Sequence, residues 1–276
     1  MISGCMDGEC SQESRDVTQF GLPDSEGAGG ACIHAMLQTL ADDVPDSWLS
    51  LLKGMQATLE SNNFSQVPQL STSRVFDVLD PFSITNSEDS GKTRSLLIGI
   101  NYAGQGGELA GCHNDVAMMK DYIATQGYSV DDADCMVLLD DGEHANPDRE
   151  TILNGFRWLV EGAECGDSLF MVYSGHGSSV PDTSGDEDDG NDEALVPVDF
   201  GEAGLINDDE IFTELVAALP EGVTLAVVID SCHSGSVLDL PFTFLANLVL
   251  ITLVETGEGS SIIAANALFK PEKYIK

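Results

Sequence analysis

Basic residues are scarce in this 276-residue chain. Its 11 Lys and Arg residues stand against 47 Asp and Glu residues, which gives a formal net charge of -36. A surface of this sign repels nucleic acids and anionic membranes, and it attracts cationic partners such as basic peptides or metal ions. We therefore expect no nucleic-acid partner and no membrane association.

The chain also lacks the patterns of a metal ribbon, a secreted protein or a membrane protein. Its seven cysteines are scattered and form no C-x-x-C pair, which argues against a zinc ribbon and against a disulfide framework. Residues 1–30 contain no apolar signal segment. The one membrane-like run, residues 242–254, is shorter than the roughly 20 residues that a spanning helix needs. These absences predict a reduced, cytoplasmic protein.

Residues 94–240 alternate between two kinds of segment. Short apolar runs rich in Val, Ile and Leu predict strands that are buried on both faces of a sheet, and the amphipathic segments between them predict helices. The predicted strands are 95–101, 136–140, 168–174 and 224–230, and the predicted helices are 112–126, 147–160 (capped by Asn146) and 208–219. The alternation predicts an α/β fold, in which helices cover both faces of a mostly parallel central sheet.

Residues 1–82 form a separate first block. Helices are predicted there at 31–40 and 47–61, and an edge strand at 64–71, because Pro68 lacks the N–H that a central strand needs. A polar linker at 83–93 joins this block to the second, and residues 242–276 form a tail without an assigned role.

Two of the predicted strands end in residues that can perform catalysis. The run 168–174 is followed by Gly175-His176-Gly177, and the run 224–230 is followed by Ser231-Cys232. Ligands of open α/β sheets bind at the carboxyl ends of the strands, so a thiol and an imidazole there suit a nucleophile and its general base. A lone cysteine after a strand is more often a small buried hydrophobe, so the hypothesis depends on the pair. The other histidines are predicted to be structural, packing or surface residues: His34, His113, His144 and His233.

Residues 182–193 contain seven acidic residues in twelve. This composition is typical of a solvated loop, and equally of a site for a hard cation, since Ca²⁺ takes six to eight oxygen ligands. The EF-hand spacing is absent, so a calcium site would have to combine carboxylates from separate segments.

Several segments resemble the metacaspases, which are caspase-like cysteine peptidases. The sequences YSGHG at 173–177 and DSCHSG at 230–235 resemble the two catalytic motifs of that family, and segments 109–115, 192–199 and 207–210 resemble further family motifs. Within the first block, residues 2–5, 29–32 and 47–74 are similar to the small-subunit region. That region precedes the histidine here, as in type III metacaspases. The resemblance implies a caspase-like (caspase-hemoglobinase) fold with a small-subunit-like region at 1–82 and a catalytic, large-subunit-like region at 94–241.

The resemblance also implies an activity, which is calcium-dependent cleavage of peptide bonds after Arg or Lys by a monomer. The implied nucleophile is Cys232 and the implied general base is His176, with the backbone N–H groups of Gly177 and Cys232 holding the oxyanion. The implied residues of the substrate pocket are Cys112, Asp115, Ser174 and Asp230, and those of the calcium site are Asp192, Asp208, Asp209 and Asp239.

Two other functions remain open at this point. One is a catalytically silent caspase-like module that binds calcium or a basic partner, and the other is a zinc hydrolase, which the cysteine spacing disfavours. Lys92 and Arg94 are candidate points of self-cleavage in the linker.

Overall fold

The computed structural model describes residues 1–6, 11–22, 27–42, 44–75, 77–86, 91–185 and 190–245. The strands are β1 (Ile2–Ser3), β2 (Glu13–Ser14), β3 (Gly29–Gly30), β4 (Gln69–Thr72), β5 (Thr93–Gly99), β6 (Cys135–Leu139), β7 (Ser168–Ser174), β8 (Gly177–Pro181), β9 (Asn191–Leu195), β10 (Ile206–Asn207), β11 (Thr224–Asp230) and β12 (Phe242–Leu245). The helices are α1 (Ala31–Asp42), α2 (Trp48–Ser61), α3 (Cys112–Thr125), α4 (Arg149–Val160), α5 (Phe200–Ala203) and α6 (Asp208–Ile211), which a π-helical turn at Phe212–Val216 extends.

A seven-stranded sheet in the order β12-β4-β1-β11-β7-β5-β6 carries the fold. The pairs from β1 through β11, β7 and β5 to β6 are all parallel, and β4 is antiparallel to both of its neighbours. Alternate residues of the central strands enter opposite cores: Leu97 and Phe170 pack on one face, while Leu96 and Met171 pack on the other. Helices α1, α2 and α3 supply the first core and α4 supplies the second. The predicted α/β fold, with helices on both faces of a mostly parallel sheet, is confirmed.

The helix starts follow from capping groups. Ser47 caps α2, since its hydroxyl accepts the N–H of Ser50 while the Ser50 hydroxyl accepts the N–H of Ser47. The predicted cap of α4, Asn146, is wrong. The side chain of Asp148 accepts the N–H of Thr151, so that α4 begins at Arg149.

The strand predicted at 64–71 is not an edge strand. It begins at Gln69, directly after Pro68, so the missing N–H of proline lies outside the ladder. On its outer side it pairs with β12, in the register Phe244 to Leu70. Residues 242–245, which the sequence assigned to the tail, are therefore the outermost described strand of the sheet, and the rest of the predicted tail lies outside the described residues.

The region predicted as a linker packs against the fold in part. Ile84 is buried, and its carbonyl accepts a hydrogen bond of 2.6 Å from the Tyr128 hydroxyl. Arg94 lies in β5, between β6 and β7, and its guanidinium donates to the carbonyl oxygens of Trp158 and Glu161. Cleavage after Arg94 would require the sheet to unfold there, so the structure disfavours this point of self-cleavage.

The structure can be compared with two features that the sequence lacks, a disulfide framework and a membrane-spanning run. The described cysteines form no disulfide with one another. Within the described ranges, none of the helices combines the length and the apolar character that are needed to cross a membrane.

The pairing of β12 with β4 predicts that Phe244 stabilises the fold. The ring is 3% exposed and belongs to the core that contains α1 and α2. We expect Phe244→Ala to lower the free energy of unfolding by about 3 kcal/mol and the melting temperature by roughly 10 °C. Thermal unfolding measures this, with Leu79→Ala, at a site 52% exposed, as a control that changes stability by less than about 0.5 kcal/mol. Equal effects of the two substitutions would contradict the position of β12.

Candidate active site

The register of β7 and β11 brings the predicted nucleophile and base to one edge of the sheet. The two strands pair in parallel over their whole length, and the last pair joins Ser174 to Asp230. His176 and Cys232 each follow two residues later. Both therefore leave the sheet at its carboxyl edge on adjacent strands, where α/β proteins bind their ligands.

His176 and Cys232 line a single cleft of about 110 Å³. Its walls come from four separate parts of the chain: the segment around β2 and β3, the start of α3, the end of β7 and the end of β11. The lining residues are Ser11, Gln12, Glu13, Gly30, Leu109, Cys112, Asp115, Ser174, Gly175, His176, Asp230, Ser231 and Cys232. All four residues of the predicted substrate pocket are in this set.

Backbone and phenol groups fix the imidazole of His176. Its Nε2 lies 2.6 Å from the carbonyl oxygen of Gly107, and its ring packs at 4.7 Å from the ring of Tyr102. The Tyr102 hydroxyl accepts the backbone N–H of His176 at 2.9 Å, and the Tyr173 hydroxyl donates to the His176 carbonyl at 2.8 Å. Because a carbonyl only accepts, the proton of the neutral imidazole is on Nε2, and Nδ1 remains as the acceptor.

The backbone around Cys232 is tightly packed. A Cβ at Gly177 would clash with the carbonyl oxygen of Cys232, so only glycine fits there and the two backbones lie side by side. The thiol of Cys232 donates a weak hydrogen bond of 3.6 Å to the carbonyl of Ser11, and the buried Cys5 thiol donates to the carbonyl of Ser231 at 3.4 Å. His233 follows in the left-handed conformation (φ 53°), which ends the strand direction abruptly.

Two buried carboxylates form the acidic part of the cleft. Asp115 accepts the N–H of Gly30 and, at 2.7 Å, the hydroxyl of Ser174. Asp230 accepts the N–H of Ile33 at 2.9 Å and the hydroxyl of Ser11. Burial raises the pKa of Asp115 well above its usual range, the charge of Asp230 raises it further, and burial likewise raises the pKa of Asp230. A cation in the cleft would favour the ionised form of both groups.

The remaining predicted pocket residue, Cys112, is buried at the first turn of α3, and its backbone N–H donates to the Asn101 side chain at 3.0 Å. Burial raises the pKa of this thiol well above its usual value, with the Asp115 charge as a further cause. Cys112 is therefore a neutral, packed thiol beside the two carboxylates.

No sequence pattern indicated that Ser11, Glu13 and Gly30 would contribute to the cleft. They lie in short, polar or glycine-rich stretches without periodicity. The sequence also placed His34 among packing or surface histidines. It is a fully buried residue, with Nδ1 at 3.0 Å from the carbonyl of Gly30 and 3.4 Å from the Asp115 carboxylate.

A second acidic cluster lies near the start of β9 and α6. Carboxylate oxygens of Asp192, Asp208 and Asp209 all lie within 4.8 Å of one another. Burial raises the pKa of Asp208 to about 8, with the charge of Asp192 as a further cause. Asp239, the fourth predicted ligand, is not part of this group of atoms. It lies buried in the loop after Cys232, in the left-handed conformation (φ 50°).

One hydrogen bond connects this cluster to the loop that carries Cys232. Glu193, next to Asp192 in β9, is buried and donates its N–H to the Asp208 carboxylate at 3.1 Å. Its own carboxylate accepts the hydroxyl of Ser236, four residues after Cys232. Of the acidic loop predicted at 182–193, the last three residues are thus part of a strand, and 186–189 lie outside the described residues.

Comparison with known proteins identifies the family of this site. The family model described as the metacaspase, peptidase C14 domain matches residues 93–241, which contain both His176 and Cys232. The chain belongs to the metacaspase family. It is thus a member of a family of cysteine peptidases, and the peptidase domain contains all the site residues that the sequence predicted, whereas Ser11, Gln12, Glu13 and Gly30 of the cleft precede it.

Relatives extend the match beyond this domain. The metacaspase is 44% identical over 90% of its length to "Metacaspase III c" of Phaeodactylum tricornutum, of which it covers 75%. It is 48% identical over 61% of its length to "Metacaspase-1" of Coccidioides immitis and 47% identical over 57% to "Metacaspase-1" of Mycosarcoma maydis. It covers 37% and 39% of these two fungal proteins. The match with the first relative includes the small-subunit-like region, which agrees with the predicted type III arrangement.

The buried carboxylates predict a substitution that stabilises the protein. Folding raises the pKa of Asp115, so the stability that its protonated form contributes is present below the ordinary carboxyl pKa of about 4 and is lost as the pH rises. An asparagine side chain at this position would keep hydrogen-bond partners without a charge. We expect Asp115→Asn to raise the melting temperature at pH 7 by roughly 3 °C, or about 1 kcal/mol, and to make no difference near pH 4. Thermal unfolding across this pH range measures the effect.

Asp121→Asn is the matched control, since Asp121 is exposed on the same helix. It should leave the melting temperature unchanged at both pH values. If Asp115→Asn does not raise the melting temperature at pH 7, or raises it just as much near pH 4, then burial of the charge does not destabilise the fold.

Proposed function

We propose that this metacaspase is a calcium-dependent cysteine endopeptidase that cleaves after Arg or Lys through a dyad of Cys232 and His176. The observation that carries the proposal is the composition of the cleft. A thiol and an imidazole line it together with two buried carboxylates, Asp115 and Asp230. The first pair suits covalent catalysis and the second suits a cationic side chain.

The hydrogen bond between His176 and Gly107 supports the role of His176 as the base. With the proton on Nε2, the Nδ1 atom accepts the proton of the Cys232 thiol. The thiolate sulfur then attacks the carbonyl carbon of the peptide bond and forms a tetrahedral intermediate. The intermediate collapses as the imidazolium gives its proton to the leaving amine, which breaks the C–N bond and leaves a thioester on Cys232. A water molecule, deprotonated by His176, then attacks the thioester, the C–S bond breaks, and the sulfur takes the proton back from the imidazolium.

The close approach of Gly177 to Cys232 supports their proposed role at the oxyanion. The clash that a Cβ at Gly177 would cause reflects two backbone segments, at Gly177 and Cys232, that lie side by side. Backbone N–H groups there can stabilise the negative charge that develops on the carbonyl oxygen in the transition state. His176 is held through its backbone by Tyr102 and Tyr173, so the imidazole is positioned before the substrate binds.

The acidic lining of the cleft supports specificity for a basic side chain before the cleaved bond. A guanidinium or ammonium group bound beside Asp115 and Asp230 would replace an unfavourable pair of like charges with opposite charges. The Ser174 hydroxyl, which donates to Asp115, orients one of these carboxylates. Peptides with uncharged residues at this position would leave both buried charges uncompensated.

The second acidic cluster fits a calcium ion. Asp192 is 1% exposed, and its Oδ1 has no hydrogen-bond partner among the described residues. Three converging carboxylates with an unsatisfied buried oxygen are the donor set that a hard cation requires. Asp192, Asp208 and Asp209 would hold the ion, which supplies positive charge that offsets their repulsion. The carboxylate of Asp239 is not in this group of atoms and would have to move to join them.

The bond between Glu193 and Ser236 explains how ligation would affect the reaction. Asp192 and Asp208 fix the position of Glu193 through the chain and through its N–H. Glu193 in turn holds Ser236, and with it the loop that begins at Cys232. Order at the acidic cluster would thereby extend to the nucleophile. We also propose, from the sequence, that the protein is monomeric and cytoplasmic.

The activity is tested with fluorogenic peptides that carry Arg, Lys, Asp or Leu before the cleaved bond. We expect hydrolysis of the Arg and Lys peptides only, a loss of roughly a hundredfold or more when EDTA removes calcium, and no turnover by Cys232→Ala. Cys165→Ala, at an exposed cysteine outside the cleft, is the control and should keep full activity. Equal turnover by wild type and Cys232→Ala would end the proposal. Binding of Arg peptides without turnover would favour the silent module.

The calcium site has its own test. Asp192→Asn removes one charge while it keeps the size of the side chain, so we expect calcium affinity to fall about tenfold or more. Titration calorimetry on the Cys232→Ala background measures binding without self-cleavage. Asp132→Asn makes the same charge change at an exposed position away from the cluster and should leave affinity unchanged. An identical affinity in both variants would remove Asp192 from the site.

A further inference from the structure

Glu13 lines the cleft although it comes from the small-subunit-like region. It lies in β2, directly opposite Gly30 of β3, and it shares the cleft with Asp115, Asp230 and the dyad. Its side chain is partly exposed, whereas those of Asp115 and Asp230 are buried. It is thus a third carboxylate of the cleft, and one that a ligand can reach.

One oxygen of Glu13 has a structural task. Its Oε1 accepts the N–H of Ala110 at 2.7 Å and the N–H of Gly111 at 2.5 Å. These N–H groups lie at the start of α3, whose N-cap residue, Gly111, makes no side-chain cap hydrogen bond. Among the described residues, the other oxygen, Oε2, accepts no hydrogen bond. Hydrogen bonds to the start of α3 therefore occupy only one of the two carboxylate oxygens of Glu13.

The pairing of β2 with β3 directs the three carboxylates to one side. Residues that face each other in an antiparallel pair extend their side chains from the same face of the sheet. A Cβ at Gly30 would clash with Oδ2 of Asp230 and lie 3.0 Å from Oδ2 of Asp115. Glu13 therefore extends from the face of the ribbon that Asp115 and Asp230 approach. The absence of a side chain at Gly30 lets both of these carboxylates approach that face of the ribbon.

We propose that Glu13 is a specificity-determining residue, whose Oε2 binds the cationic end of the substrate side chain and makes the enzyme prefer Arg to Lys. This inference rests on the proposed function, because it assigns a further contact in the same pocket. A guanidinium presents five N–H donors in one plane and can reach Glu13 and the buried carboxylates together. An ammonium group is a single point with three donors and cannot span as many partners.

Glu13→Gln separates binding from capping, because the amide oxygen can still accept the N–H groups of Ala110 and Gly111. We expect kcat/KM for an Arg peptide to fall about tenfold, mainly through KM, since the contact is made in the ground state and the transition state alike. The Lys peptide should lose less, so the ratio of Arg to Lys cleavage should fall. The melting temperature should stay within about 1 °C of wild type.

Glu108→Gln is the matched control for a general loss of negative charge. Glu108 directly precedes the cleft residue Leu109 but does not itself line the cleft. Its Oε2 accepts the N–H of Gly104. It should change neither the ratio of Arg to Lys cleavage nor KM. Glu13→Ala removes the cap as well and should lower the melting temperature, which measures the structural task separately.

A binding experiment keeps this inference distinct from the proposed function. Agmatine and cadaverine carry the cationic ends of the Arg and Lys side chains, and calorimetry on the Cys232→Ala protein measures their affinity without turnover. We expect Glu13→Gln to weaken agmatine binding about tenfold and cadaverine binding less. Peptidase assays that fail in wild type would overturn the proposed function alone. Unchanged agmatine affinity and unchanged Arg kinetics in Glu13→Gln would overturn the role of Glu13 and leave it a helix cap.

Discussion

The parallel ladder between β7 and β11 is the constraint on which the site depends. Seven consecutive residue pairs fix the register of these strands, and a shift by one residue would turn every side chain to the opposite core. Because Phe170 and Val172 belong to one core and Leu169 and Met171 to the other, such a shift is strongly unfavourable. Burial on both faces thereby sets the relative position of the two strand ends. The meeting of Cys232 and His176 at one edge of the sheet is a consequence of that packing.

The same edge of the sheet concentrates charge that does not stabilise the folded protein. Asp115 and Asp230 are buried with raised pKa values, and the groups that contact them are hydrogen-bond donors without a formal charge, such as the N–H groups of Gly30 and Ile33. These donors offset the loss of hydration only in part. A pocket of this kind gains most from a ligand of opposite charge, since the ligand removes the repulsion that folding created. The cost in stability and the proposed selectivity for a cation thus have one origin.

Much of this arrangement could be predicted because it depends on apolar periodicity. The runs at 168–174 and 224–230 are long, continuous and end in distinctive residues, so the strands and the positions of His176 and Cys232 follow from local sequence. The contribution of Ser11, Glu13 and Gly30 could not be predicted in this way. Glu13 and Gly30 lie in strands of two residues, which are too short for any period, and Ser11 lies just before the first of these strands. Phe242–Leu245 was missed for a related reason, because its partner, β4, lies in the first block.

The order of the two blocks has a consequence for folding. β1, near the start of the chain, pairs with β11, and the N–H of Gly4 donates to the carbonyl of Ile229 at 2.9 Å. The small-subunit-like region, which supplies Ser11 and Glu13 to the cleft, therefore docks on the last strand of the catalytic region. Contacts between such distant residues form slowly, because closing a long loop costs entropy before any contact compensates for it. During synthesis the first block is complete early, yet the cleft cannot exist until β11 has been made. A site assembled from four distant segments of the chain therefore remains incomplete until synthesis has passed Cys232.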